Sequence, residues 1–364
     1  MLESLKARAN VWALQKLGRD SVDYLAANTM TVVNRRLNDF LWTYELKALV
    51  TAVIDEAPGV KTFVLQPNQH WKGMTPGQYV EVSAVIGSEL IGRCYSPTVR
   101  DNGQIAITIK RVEGGRFSEW AHSQLQVGSE LRLNPAEGRF CHQGQGKVLF
   151  LCAGSGMTPC HSIVSALLAA PETPDIAVYA QFAHARDVIF ANALQDWRRQ
   201  LDVEVALSRE TRDGFVAPLT AESLVMRFPD FRERDIYLCG PSGFMDKMVE
   251  ILAGLDFNLS RLHSERFALP VAESGADFDF RATLPEVYFR HLDRHVQLTA
   301  DDEGKSLLQL AEDYGVPLES GCRKGMCGTC KLTLRDGKVS GNTLGQAVYL
   351  CSSYPASVKV VLDA

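Results

Sequence analysis

Residues 147–170 read KVLFLCAGSGMTPCHSIVSALLAA. An apolar strand runs into a glycine turn, and a helical pattern follows. Thr158 is placed to cap that helix and Pro159 suits its first turn. Gly154 and Gly156 let backbone and ligand approach closely, and the exposed helix amides suit a dinucleotide pyrophosphate. Alone, a glycine turn of this kind does not specify a dinucleotide site. Downstream come DIAVYAQFA (175–183), VEVALSRE (203–210) and RDIYLCG (234–240), each a short strand pattern with helical stretches between. Strands alternating with helices predict a parallel sheet with crossover connections over residues 144–270.

On the N-terminal side the pattern changes. YELKALVTAVI (44–54), KTFVLQP (61–67), QYVEVSAVI (78–86), QIAITIKRV (104–112) and SELRLNP (129–135) are short, rich in β-branched residues and bounded by Gly, Pro and Asn. They predict an antiparallel β-barrel over 46–143. Residues 1–45 are expected to be helical, with Leu2, Leu5, Ala9, Ala13 and Leu17 on one apolar face and a second helix starting at Asp20. This arm packs on the next domain or docks on a membrane surface or partner. VAESGADFDFRAT (271–283) reads as a linker, and 284–364 as a small α+β domain. The expectation is therefore a multidomain chain.

Totals agree with that. The 364 residues are too many for one ordinary core, and 46% hydrophobic residues with a net charge of −5 suggest neither a nucleic-acid protein nor an acidic tail. No apolar run is long enough for a membrane span, and MLESLKARAN lacks the features of a signal peptide. A cytoplasmic location is expected, where thiols stay reduced and clustered cysteines mean metal or redox chemistry.

Such a cluster exists in ESGCRKGMCGTC, residues 319–330. Cys322, Cys327 and Cys330, followed by Cys351, have the plant-type 2Fe–2S spacing. Gly321, Gly325 and Gly328 suit a loop whose amides turn toward a cluster. Zinc is the alternative, but zinc modules use paired C-x2-C or His ligands, and no His lies between 296 and 364. The other cysteines are scattered.

Taken with RCYSP (93–97), GGRFS (114–118), AGSGMTP (153–159) and LCGPSGFM (238–245), the chain resembles ferredoxin–NADP reductase-type flavoproteins fused to a C-terminal plant-type ferredoxin domain of β-grasp fold. Bacterial oxygenase and fatty-acyl desaturase reductases share that layout. The interval from Cys330 to Cys351 is shorter than in plant ferredoxins.

The resemblance implies that Arg93 contacts flavin phosphates, Tyr95 packs on the isoalloxazine and Ser96 hydrogen-bonds near its reactive nitrogen. It places the FAD pyrophosphate near Gly115, Arg116, Phe117 and Ser118, with Ser118 as the helix N-cap; FMN is the rival. It puts Cys239 beside the nicotinamide, with Gly240 and Pro241 shaping that wall and Glu265 and Phe267 near the flavin. Ser208 and Arg209 are expected on a 2′-phosphate, which favours NADPH over NADH. Hydride would pass to FAD, and single electrons through the 2Fe–2S cluster to a partner. The expected partner is a membrane di-iron desaturase or alkane hydroxylase, which would put the protein at the inner membrane face. A soluble Rieske-type oxygenase is the alternative acceptor, and a flavin- and metal-binding regulatory module is the alternative of another class.

Overall fold

The computed structural model describes residues 2–17, 21–22, 38–142, 146–267, 278–320, 325 and 328–363. They form two compact units. One comprises 1–137, 141–145 and 157–217, and the other 138–140, 146–156 and 218–364.

In the first unit seven strands form an antiparallel sheet. They are β1 (Lys47–Ala57), β2 (Val60–Pro67), β3 (Val80–Ile86), β4 (Glu89–Tyr95), β5 (Thr98–Val99), β6 (Ile105–Lys110) and β7 (Glu130–Leu133), in the order β4-β3-β7-β1-β2-β6-β5. β4 and β5 are the two edges, so the barrel is open. Alternation explains its core: Ile105, Ile107 and Ile109 point inward with Phe63, Leu65, Val80 and Val82, while Ala106 and Thr108 point out.

The N-terminal helix α1 (Leu2–Leu17) is present, but over residues 8–17 its buried positions are not the predicted ones. Ala9 and Leu17 are exposed, whereas Asn10 and Leu14 are buried. Leu14 joins Val22, Phe40 and Leu49, and Asn38 donates to Asn10 Oδ1 at 2.5 Å. This half-buried polar pair turns Asn10 inward in place of the apolar stripe. Most of the second expected helix lies outside the described residues.

This unit also contains helices α2 (Arg116–Gln124), α3 (Met157–Leu168) and α4 (Ala191–Trp197). The strands β9 (Asp175–Phe182) and β10 (Asp202–Leu207) pair in parallel.

The second unit holds β8 (Lys147–Ala153), β11 (Asp235–Cys239) and β12 (Leu262–Glu265), all parallel, with β11 between the other two. Helices α5 (Ala221–Arg227) and α6 (Ser242–Gly254) accompany them. Phe280–Thr283 forms a short helix, α7, capped by Asp279, so the end of the expected linker is ordered. Residues 271–277 lie outside the described residues. The C-terminal portion is a mixed sheet of β13 (Glu286–Phe289), β14 (Arg294–Gln297), β15 (Lys331–Asp336), β16 (Val339–Leu344), β17 (Ala347–Pro355) and β18 (Lys359–Asp363), in the order β14-β13-β18-β15-β17-β16. Helix α8 (Leu307–Asp313) packs on β17. Among the described residues no helix is long and apolar enough to cross a membrane.

Candidate active site

Arg93 and Tyr95, expected beside a flavin, lie on edge strand β4, and Ser96 follows it directly. Arg93 and Tyr95 stand opposite Val82 and Val80 and so share a face. The Tyr95 ring lies 5.9 Å from that of Phe117. Burial holds the Tyr95 phenol well above its usual range, outweighing the nearby Arg93 charge, so it is a neutral ring. Arg93 is exposed and donates to the Gly92 carbonyl at 2.7 Å. Ser96 is buried. The next carbonyl, of Pro97, accepts from Ser162 Oγ at 2.6 Å, and Gly77 N–H donates to the same hydroxyl. Ser162 on α3 thus pins the strand end that carries Ser96.

α2 begins at Arg116, with Gly115 as its cap. Ser118 is therefore inside the first turn and not the expected N-cap. Its hydroxyl turns back instead, accepting from Val112 N–H at 3.1 Å and donating toward the Gly115 carbonyl. Gly114, at φ 70°, makes the earlier start possible. The Phe117 side chain is core, so only its backbone is offered to a ligand. Arg116 is paired with Glu89 at 2.7 Å.

In the second unit β8 ends in the turn Gly154–Gly156; along the chain, α3 of the first unit starts at Met157. Thr158, the expected cap, lies instead within its first turn, and Pro159 follows it. The turn abuts the end of β11: a Cβ on Gly156 would lie 2.3 Å from the Cys239 carbonyl oxygen. One on Gly240 would lie 2.8 Å from Phe244 and 3.1 Å from Ala153. Pro241 caps α6. Cys239 pairs across the sheet with Cys152 and Glu265. Burial first, then the Glu265 charge, pushes the Cys239 thiol well up, so it stays protonated. Glu265 is buried and Phe267 half-buried.

Of the four expected metal ligands, Cys330 and Cys351 are described; Cys322 and Cys327, with Gly321, lie outside the described residues. Gly325 N–H donates to Cys351 Sγ at 3.0 Å. Gly325 and Gly328 take φ of 67° and 71°, where a side chain would be strained. Asn342, which belongs to none of the sequence motifs, donates to the Gly325 carbonyl at 2.7 Å and so anchors the residue whose N–H meets the sulfur. Asn342 sits in a register shift of the β16–β17 pair, and its neighbour Gly341 is the one sequence signal that points to it. An amide aimed at a thiol sulfur is what an iron-bound thiolate requires, so the donor set fits a cluster.

Ser208 and Arg209 follow β10. Their backbone amides bond to the Phe182 and Ala183 carbonyls, which puts both residues beside the end of β9. Arg209 is exposed. Arg186 lies near Asp187, and Asp187 also takes His184.

His161 lies in the stretch 147–170 but two residues beyond the AGSGMTP motif. It lines a cavity of about 550 Å³ with Glu56, Thr98, Arg100, Phe190 and Asn192. Its ring stacks on Phe190 at 4.1 Å and its Nδ1 meets Thr98 Oγ1 at 3.0 Å. Burial, then the Arg100 charge, lowers its pKa from 6.5 to about 4. Between those values the unfolded chain binds the proton and the folded one does not, so stability is full above pH 6.5 and falls as pH drops toward 4. We expect denaturant titration to give about 2 kcal/mol less stability at pH 5 than at pH 7 from this group. The His161→Phe protein, which keeps the stack, should lack that component. An unchanged pH dependence in the variant would remove the argument.

Three family models match. An oxidoreductase FAD-binding domain covers residues 49–142, an oxidoreductase NAD-binding domain 150–250, and a 2Fe-2S iron-sulfur cluster binding domain 289–356. Along most of its length the chain is similar to one of the subunits of the 1,2-phenylacetyl-CoA epoxidase of Escherichia coli K12. Identity is 30% over 344 residues, covering 87% of this chain and 96% of that protein. The chain belongs to the ferredoxin reductase-type oxidoreductases with a C-terminal 2Fe–2S domain. Like other members of this group, the reductase carries FAD-binding, nicotinamide-binding and 2Fe–2S domains in that order. It is also 31% identical, over 317 residues, to the glycine betaine monooxygenase reductase subunit of Chromohalobacter salexigens, covering 79% of this chain and 84% of that one. Its fold is that of phthalate dioxygenase reductase, with a TM-score of 0.56 and 21% identity over 88% of this chain and 98% of that chain.

Proposed function

We propose that this reductase takes hydride from NADPH and passes single electrons through its cluster to an oxygenase. The order of the three domains carries this reading, together with the amide of Gly325 on the Cys351 sulfur. When bound, FAD and the 2Fe–2S cluster supply the conversion of a two-electron donor into one-electron steps. The chain's residues do the rest. Arg93 and the N-terminal amides of α2 hold the flavin's phosphates. Tyr95, kept neutral, packs on its ring, and the Ser96 hydroxyl, fixed through Pro97 and Ser162, hydrogen-bonds near its reactive nitrogen. Cys239 with Gly240 and Pro241 walls the nicotinamide; Glu265 balances charge there and Phe267 covers the ring. Cys322, Cys327, Cys330 and Cys351 hold the irons.

The preference for NADPH is supported by Arg209. Its guanidinium has no hydrogen bond or ion pair among the described residues, and it stands with Ser208 where a 2′-phosphate would arrive. The acidic residue next to it, Glu210, is engaged by Ala185 N–H at 2.8 Å. The test is kcat/KM for NADPH and NADH under steady turnover with cytochrome. Arg209→Gln should lower the NADPH value about tenfold or more, and the NADH value little. A wild-type preference for NADH, or equal losses in the variant, would refute the assignment.

An oxygenase acceptor is supported by the names of the epoxidase and monooxygenase relatives. The finer reading, a membrane-bound di-iron desaturase or hydroxylase, is supported by the N-terminal segment. There Trp12, Leu17 and Tyr44 are exposed, Tyr44 by 74%. Apolar and aromatic side chains of this kind suit a membrane surface beside the partner.

A further inference from the structure

Two fully buried side chains of the second unit have no part in the site described above. Tyr349 lies on β17, two residues before Cys351, and so on the same face of that strand. Its neighbours Val348 and Leu350 point the other way into the core of the iron–sulfur domain, and Tyr349 does not join them. Its hydroxyl reaches Ser264 Oγ on β12 at 3.4 Å. Gly328 of the cysteine loop sits against the same two residues: a Cβ there would be 3.8 Å from the Ser264 carbonyl and 3.9 Å from the Tyr349 ring. At the other end of the contact, Gly345 meets Val249 of α6. The second side chain is Arg266, two residues after Ser264 and 1% exposed. One nitrogen pairs with Asp246 at 2.5 Å, but its buried Nε has no partner among the described residues. A guanidinium this deep is costly unless something nearby takes advantage of its charge.

We propose that Tyr349 seats the iron–sulfur domain on the end of β12, and that Arg266, enclosed by this seat, stabilises the extra negative charge of the reduced cluster. The inference rests on the iron–sulfur reading of Cys330 and Cys351 given above. A one-electron reduction adds a unit of negative charge, and a buried cation favours it because the interior screens poorly. The cluster's potential depends on such charges and on solvent exposure, and the seat controls both. Tyr349 and Arg266 are positioning residues; the electron itself comes from the reduced flavin and ends on the cluster.

The test is a spectroscopically monitored redox titration of the full-length holoprotein. Arg266→Gln should lower the reduction equilibrium of the cluster about tenfold, or 59 mV for a one-electron couple. Arg266→Lys should recover most of that. Tyr349→Ala should lower it comparably and slow flavin-to-cluster electron transfer about tenfold, while hydride transfer from NADPH keeps its rate. Tyr349→Phe, which keeps the ring, should fall between. If Arg266→Gln does not fold, the Tyr349→Ala titration decides. Unchanged potential and transfer rate in a folded Tyr349→Ala protein holding about two irons per chain would overturn the proposal. Wild-type protein without those irons would instead defeat the iron–sulfur reading beneath it.

Discussion

Replacing Cys351 with Ala should abolish reduction of the physiological acceptor and of cytochrome by more than about 100-fold, and leave direct reduction of ferricyanide by NADPH within about twofold. The two assays draw on different parts of the chain. The residues proposed to hold the flavin lie in the first unit on β4 and α2, and those proposed for the nicotinamide lie on or beside β8, β11 and β12, so none of them depends on the thiol. Cys351 is half-buried beside a core made by Val348 and Leu350, and loss of its sulfur leaves that core intact. What is lost is the acceptor of the Gly325 amide and one of the four proposed thiolates, and a two-iron cluster needs all four. Iron per chain and visible absorbance should fall together. The experiment also separates iron from zinc. A zinc site would give a wild-type protein whose visible spectrum is that of flavin alone and whose cytochrome activity survives the substitution.

The sequence reveals most where a residue's task is set by its immediate neighbours along the chain. Apolar runs place the β-strands, and the turns AGSG and LCGP announce themselves through glycines that the backbone needs. The loop glycines 325 and 328 follow the same logic and have the expected positive φ. Errors arise where a local choice depends on something farther away. Ser118 and Thr158 are good cap residues, yet each helix starts earlier, at Arg116 and Met157, because the preceding glycines already turn the chain. The face of α1 differs from the periodicity because Asn10 is buried by Asn38, 28 residues on, a bond that hydrophobic spacing does not register. Asn342, Tyr349 and Arg266 are invisible in sequence for a related reason. Each is an ordinary residue within its own strand or loop, and its importance comes from a partner reached only after folding.

Gly156→Ala should lower kcat/KM for NADPH by about 100-fold or more, roughly 2.7 kcal/mol of transition-state binding, with flavin and iron contents unchanged. The added methyl carbon would lie 2.3 Å from the Cys239 carbonyl oxygen, 2.4 Å from its carbon and 2.5 Å from Gly240 N. All three are backbone atoms at the end of a strand paired on both sides, so no side chain can rotate to make room. The two turns must separate, and that separation moves the Gly154–Gly156 amides and the Cys239–Pro241 wall apart at once. Gly154 is the control. It has φ 52° and open space where its Cβ would go, so Gly154→Ala meets only the backbone penalty of about 1–2 kcal/mol and no collision. Its effect on kcat/KM should be much the smaller. If the two variants lost activity equally, the close approach of the turns would not be what shapes the nicotinamide site; if Gly156→Ala stayed within threefold of wild type, the turns would have to move freely past one another. Gly156 is thus required by a neighbour 83 residues away in sequence, and Gly154 by its own backbone angle.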